Sequence, residues 1–202
     1  MTGAATRIGW IRHGQTEWNR LGKIQGIMNI PLSAEGIRQA ERLADRLAIE
    51  RGHRWQGIVS SDLDRATKTA AVIADRLSIP MRTDPRLRER SFGEAEGTTL
   101  GERIARWGDN WRRRVPDQET DEQVLDRGLA FVRDHVDRHR GEDWLVVTHG
   151  SFLARILHAM CRDLDDSHLQ NVSLTIMERD GELWKPLLHN CTKHLDDDAI
   201  EA

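Results

Sequence analysis

Short apolar runs closed by polar turns alternate along this chain with longer segments in which apolar residues recur every three to four positions. The first rhythm suits a strand inside a sheet, the second one face of a helix. Residues 7–12, with Ile8, Trp10 and Ile11, are expected as the first strand. Ser33 is placed to cap a helix running to about residue 49, with Ile37, Ala40, Leu43, Ala44, Leu47 and Ala48 on its inner face. A short strand at 57–60 precedes a helix over about 62–77, faced by Leu63, Ala66, Ala70, Ile73, Ala74 and Leu77, and 81–83 is expected as a third strand. The stretch 93–117 is less regular and holds a helix with Leu100, Ile104, Trp107 and Trp111 on one side. Thr120-Asp121-Glu122-Gln123 has the form of a capping box, opening a helix to about 139 with Leu125, Leu129, Val132 and Val136 inward. The unbroken run 144–148 is a buried strand and 151–160 an apolar helix. Asp180-Gly181 marks a hairpin between strands at 174–178 and 183–188, and 196–202 is expected as a solvated acidic tail. Strands alternating with helices predict a layered α/β fold.

Composition narrows the class. A chain of 202 residues, 38% hydrophobic and 31% charged, suits one soluble domain. We expect a single domain over 1–202. No apolar run spans a bilayer and residues 1–6 lack a signal-peptide pattern, so no membrane partner and a cytoplasmic location are expected. Cys161 and Cys191 are expected as free thiols. The net charge of -3 argues against a general nucleic-acid binder. Of 30 basic residues, 26 are Arg, which a G+C-rich genome explains in bulk, so individual arginines must be argued by position.

Three expected strand ends carry polar residues that do not belong in a core: Arg12-His13-Gly14, Ser60-Ser61-Asp62 and Thr148-His149-Gly150. Ligands of open α/β sheets bind beyond the carboxyl ends of the strands. If these strands are parallel neighbours, His13, His149 and the turn before Arg65 converge. A histidine pair could bind zinc, but arginines beside a divalent cation are unfavourable, whereas arginines beside histidines suit a phosphoryl dianion. A neutral imidazole is a competent nucleophile, and neighbouring arginines keep it neutral.

The motifs resemble those of the histidine phosphatase superfamily, also called phosphoglycerate mutase-like. Arg12-His13-Gly14-Gln15-Thr16-Glu17-Trp18-Asn19 is similar to its R-H-G-x-T-x-x-N signature, and further matching segments follow in order. These are Gln25-Gly26, Pro31-Leu32-Ser33, Gly36 with Gln39-Ala40, residues 60–66 with Thr69-Ala70, Leu87 with Glu89, Phe92-Gly93 and Glu96-Gly97, and Val146-Val147-Thr148-His149-Gly150. The resemblance implies a three-layer α/β/α fold with a mostly parallel central sheet, and a variable substrate-covering segment at about 93–120. It implies His13 as the nucleophile that becomes phosphohistidine, Arg12 and Arg65 as clamps on the phosphoryl oxygens, and His149 as a donor to the same group. Asn19, Gln25, Gly26 and Gly150 would line the substrate site. Glu89 is the implied general acid and base, with Glu94 and Glu96 as nearby competitors. A bound phosphate dianion would keep its carboxyl protonated. No metal and no cofactor are implied, and the partner is a small phosphomonoester.

Within the resemblance the phosphatase branch fits better than the mutases. Glu89-Arg90-Ser91-Phe92-Gly93 has Phe where the mutase-like pattern has Tyr, and the stretch from Gly97 to Thr120 leaves little room for a mutase lid. A 2,3-bisphosphoglycerate-dependent mutase stays as the alternative, and a catalytically idle phospho-ligand or partner-binding module as the alternative from another class. All five chemistry-bearing residues are present, which argues against the idle module. Arg103 and Arg106 with Arg112-Arg113-Arg114 read first as a solvated basic face, and secondly as cations for a carboxylate or second phosphate of a substrate such as 3-phosphoglycerate. The sequence is silent on oligomeric state.

Overall fold

Six strands form one sheet in the computed structural model, which describes residues 5–50, 52–164 and 168–196. In chain order the elements are β1 (Thr6–Arg12), α1 (Glu17–Arg20), α2 (Ala34–Ile49), β2 (Trp55–Ser60), α3 (Asp64–Leu77), β3 (Met81–Thr83) and α4 (Leu100–Trp107). They continue with α5 (Asp121–Arg138), β4 (Asp143–Thr148), α6 (Gly150–Met160), β5 (Leu174–Asp180) and β6 (Leu183–Cys191). The strand order is β3-β2-β4-β1-β5-β6. The first four of these run parallel, and β5 is antiparallel to both β1 and β6.

Side chains alternate across a strand, and this alternation builds the layers. Ile8, Trp10, Val146 and Met177 pack with Phe131 and Val136 of α5 and Phe152, Leu153 and Ile156 of α6. Ile11, Leu145, Val147, Leu174 and Ile176 pack on the other face with Leu43 and Leu47 of α2 and Ala66, Ala70 and Ile73 of α3. β4 is covered on both faces, which is why it reads as a continuous apolar run. A third small cluster, Phe92, Ala95, Trp111 and Val115 with Ile24 and Trp107, comes mainly from the irregular stretch. The chain leaves β1 toward α2 on one face and leaves β4 into α6 on the other. A crevice therefore opens at the carboxyl ends of these adjacent strands. His13 and His149 follow directly after those ends.

Several helix faces differ from expectation. The buried face of α2 is Gly36, Gln39, Ala40, Leu43, Ala44 and Leu47, leaving Ile37 and Ala48 exposed. α3 begins at Asp64 rather than 62, because Leu63 is extended and its N–H donates to Ser61 Oγ at 3.3 Å. In α4, Leu100 and Ile104 face solvent and the buried residue is Arg103. That helix stops at Gly108, and Trp111 opens a separate single turn, buried in the third cluster. α5 buries Val124, Gly128, Phe131, Val132, His135 and Val136, with Leu125 and Leu129 only half-buried beside that face. The hairpin turns at Asp180-Gly181, with Gly181 at φ +63. At the sheet's edges, β3 has 3 residues, and β6 has 9, carries Pro186 and pairs with β5 through register shifts. Residues 197–202, expected as an acidic tail, lie outside the described residues. Among the described residues no helix is long and apolar enough to cross a membrane.

Candidate active site

The loop after β1 is fixed before its chemistry begins. A Cβ on Gly14 would stand 2.4 Å from Gly36 O, and one on Gly36 2.1 Å from Gln15 O, so only glycines let this loop lie on the start of α2. The Gly14 N–H donates to Thr69 Oγ1 at 3.0 Å and the Gln15 N–H to Gln39 Oε1 at 3.0 Å. Ser33, the cap of α2, returns its hydroxyl to Gln15 O at 3.0 Å. His13 is thereby buried, with Nδ1 at 2.7 Å from Gly14 O. A carbonyl only accepts, so Nδ1 carries the proton and Nε2 keeps its lone pair. Burial, then Arg65 and Arg12, hold the imidazole's pKa well below 6.5.

His149 follows β4, and its ring centroid lies 5.1 Å from that of His13. Its Nε2 is 2.8 Å from Ser61 Oγ, while its buried Nδ1 has no partner among the described residues. Burial, followed by Arg65, also lowers the pKa of this ring well below 6.5. Arg65, in the first turn of α3, is fully buried. Its Nη1 donates to Met28 O and its Nη2 to Gly26 O, both at 2.7 Å, and its Nε has no partner among the described residues. Burial draws its pKa down to about 10, against the opposing pull of the Glu89 and Glu96 carboxylates. Arg12 donates from Nη1 to Leu169 O at 2.6 Å, and its Nε is likewise buried without a partner among the described residues. A Cβ at Gly150 would press within 3.2 Å of that Nε.

Glu89 sits on the first turn of α6. Its Oε1 accepts from Phe152 N–H at 2.8 Å and Arg90 N–H at 2.9 Å, and its Oε2 from Ser151 N–H at 3.0 Å. The otherwise unsatisfied backbone donors of this helix start fix the position of the Glu89 side chain. The two competing glutamates have other work. Glu94 pairs with Arg106 at the surface. Glu96 Oε1 accepts from the Ile27 and Phe92 N–H groups at 3.1 and 3.0 Å. It fills the space beside Gly26, whose φ is +52 and whose Cβ would stand 1.9 Å from that oxygen.

These groups surround a cavity of about 640 Å³. Every residue expected at the site lines it except His149, which lies behind with its ring against His13. Asn19 Oδ1 is already engaged by the Thr16 N–H at 3.1 Å, which leaves its amide N–H groups for a ligand. Gln25 is held by the Thr16 hydroxyl at 2.9 Å, and Gly26 serves the site through the carbonyl that fixes Arg65. Three supporting residues carried no role in the sequence reading. Ser61 and Thr69 were visible only as polar positions within a motif. Asn171, whose Nδ2 donates to His13 O at 2.9 Å, sits in no recognisable pattern.

The chain is 34% identical over 196 residues to an uncharacterized phosphatase, PhoE, of Bacillus subtilis (strain 168), covering 94% of this chain and 97% of that one. It is 31% identical to a metal-independent phosphoserine phosphatase of Arabidopsis thaliana, covering 89% of this chain and 79% of the other. The fold superposes on the YhfR protein of Bacillus stearothermophilus with a TM-score of 0.85 at 30% identity, covering 95% and 100% of the two chains. The pattern of the histidine phosphatase superfamily (branch 1) matches residues 8–192, and the chain belongs to that family.

Proposed function

We propose that this chain is a metal-independent phosphatase that hydrolyses small phosphomonoesters through a phosphohistidine on His13. The observation that carries the reading is the His13 ring itself. Its Nδ1 proton is committed to Gly14 O, and Nε2 keeps a lone pair beside the buried Arg65 and the half-buried Arg12. Nε2 attacks phosphorus, the ester P–O bond breaks, and the Glu89 carboxylic acid gives its proton to the departing alkoxide. Water then attacks phosphorus, Glu89 takes the water's proton, the P–N bond breaks and phosphate leaves. The free Nε–H groups of Arg12 and Arg65 hold the transferring oxygens. With the Ser61 hydroxyl donating to Nε2 of His149, the Nδ1–H of that ring is free to donate to the same group.

The phosphoserine phosphatase relative supports a small phosphorylated metabolite as substrate. The chain works as one domain, with the 93–120 stretch forming the wall over the leaving group, and it acts in the cytoplasm, where both free cysteines stay reduced.

The test is covalent trapping. Incubation with labelled substrate and rapid denaturation should yield an acid-labile, base-stable phosphoprotein. His13→Ala should remove the label and lower turnover of p-nitrophenyl phosphate by more than about 10³-fold while the fold is kept. Turnover that survives in that variant, or is lost on EDTA treatment of the native protein, would overturn the assignment.

A further inference from the structure

We infer that Asn190, near the end of β6, is a positioning residue for the reaction: its side-chain amide fixes the carbonyl that aims the Arg12 guanidinium. The inference rests on the phosphatase reading, in which Arg12 holds the transferring oxygens. It extends the machinery to a strand none of whose residues lines the cavity.

The two clamping arginines are held differently. Arg65 is tethered by two carbonyls, Met28 O and Gly26 O. Among the described residues the Arg12 guanidinium has one acceptor, Leu169 O. A planar fork held at one nitrogen still turns about that contact, so the aim of Nε depends on how firmly the carbonyl is placed. Leu169 belongs to no helix or strand and lies in a strap, 168–173, laid across the end of β1. From this strap the Val172 N–H donates to Arg12 O and Asn171 Nδ2 to His13 O, both at 2.9 Å. Leu169 packs with the layer of α5 and α6, and Val172 with that of α2 and α3. Val172 has φ +49, a left-handed conformation that β-branched side chains resist. Strain of this kind persists only where the surroundings over-determine it.

Asn190 contributes to that determination. Its Nδ2 donates to His168 O at 2.9 Å and its Oδ1 accepts from the Gln170 N–H at 3.1 Å. One planar amide therefore grips the chain on both sides of Leu169. It reaches there because β6 departs from regular pairing. Between the pairs Leu174–Cys191 and Ile176–Leu188, β6 carries one residue more than β5. Asn190 lies in this bulge at φ +44, a region Asn enters more readily than most residues, and its own N–H donates to Thr175 Oγ1 at 3.0 Å. A bulge re-aims a side chain that the strand's alternation would send elsewhere. The contacts then run without a gap. Thr175 holds the Asn190 backbone, Asn190 holds His168 and Gln170, Leu169 O holds Nη1 of Arg12, and the Arg12 Nε is left for the phosphoryl group.

The experiment uses Asn190→Gly, which keeps the left-handed backbone and removes the amide. Rates are expressed per active site, counted from the phosphohistidine formed in a single turnover, so a smaller folded fraction does not register. The variant should lose about tenfold in kcat/KM for p-nitrophenyl phosphate and for an alkyl phosphate alike. The inhibition constant of orthovanadate, which mimics the five-coordinate phosphorus of the transition state, should rise by about the same factor. Asn190→Asp keeps the acceptor for Gln170 and gives up the donor to His168. It should lose about threefold in both measures, and it decides the question if Asn190→Gly does not fold. A vanadate constant within about twofold of native, or unchanged rates per site, overturns the inference and leaves the phosphatase reading standing. So does a loss confined to the alkyl phosphate, which would route the effect through Glu89. A native chain that forms no phosphohistidine and does not turn over p-nitrophenyl phosphate overturns both.

Discussion

The proton on His13 is placed by a neighbour's carbonyl, and the same economy runs through the other reacting side chains. Glu89 reaches the cavity from a backbone that is not part of any helix, yet its carboxylate is pinned by the Ser151 and Phe152 N–H groups. Glu89→Gln keeps an oxygen for one of those donors while removing the transferable proton. We expect kcat to fall about 10²- to 10⁴-fold for alkyl phosphates and far less for p-nitrophenyl phosphate, whose leaving group needs little protonation. Parallel rate measurements on the two esters check this, and equal losses would take the proton-transfer role away from Glu89.

At the scale of elements, two segments decide where that acid stands. α6 supplies the donors that hold its carboxylate, and Arg127 of α5 holds its backbone. Arg127 Nη1 donates to Arg86 O and Arg88 O, both at 2.7 Å, and its Nη2 to Glu89 O at 3.2 Å. Its Nε meets Glu119 Oε1 at 2.6 Å, and Glu119 in turn ties back to Ser91 through its N–H at 2.9 Å. Arg127→Met should therefore misplace the acid. We expect kcat for alkyl phosphates to drop about tenfold or more with KM little changed, and p-nitrophenyl phosphate to suffer less. Pre-steady-state and steady-state kinetics on the two substrates would show it. A uniform loss across both would mark Arg127 as a plain structural tie.

Much of this arrangement was legible in the chain because its strand ends are written in short local motifs. Arg12-His13-Gly14 and Thr148-His149-Gly150 each terminate an apolar run, and parallel pairing of β1 with β4 brings them together. The irregular stretch was not legible. Leu100 and Ile104 recur at helical spacing but face water, while the charged Arg103 turns inward because Trp111 offers its guanidinium a flat aromatic partner. In α5 the apolar residues spread over more than one stripe. Gly128 and His135, which pattern reading does not count as core, settle the inner face by packing on Ile156 and on Phe131 with Trp144.

For the molecule as a whole, buried imidazoles link stability to acidity. Burial, then neighbouring arginines, hold His13 and His149 well below 6.5, while burial draws His135 down to about 3 and His194 to about 4. Below pH 6.5 the unfolded chain takes up protons at these rings and the native chain does not, so their contribution is complete above that pH and is lost as pH falls toward 4. Each ring adds a slope of up to about 1.4 kcal/mol per pH unit in that window. Urea midpoints should be level between pH 7 and 8 and fall steeply from 6.5 to 4.5. A level profile through the lower range would contradict uncharged burial of these rings.

The two margins of the sheet bear on how copies of this chain behave when crowded. β3 offers only 3 residues for an intruding segment to pair with, and β6 presents Pro186, which has no N–H, in a ribbon kinked by register shifts. Ladder growth from one molecule into the next is thereby discouraged at both sides. The protein should stay dispersed at concentrations where a flat, uninterrupted border would nucleate aggregates.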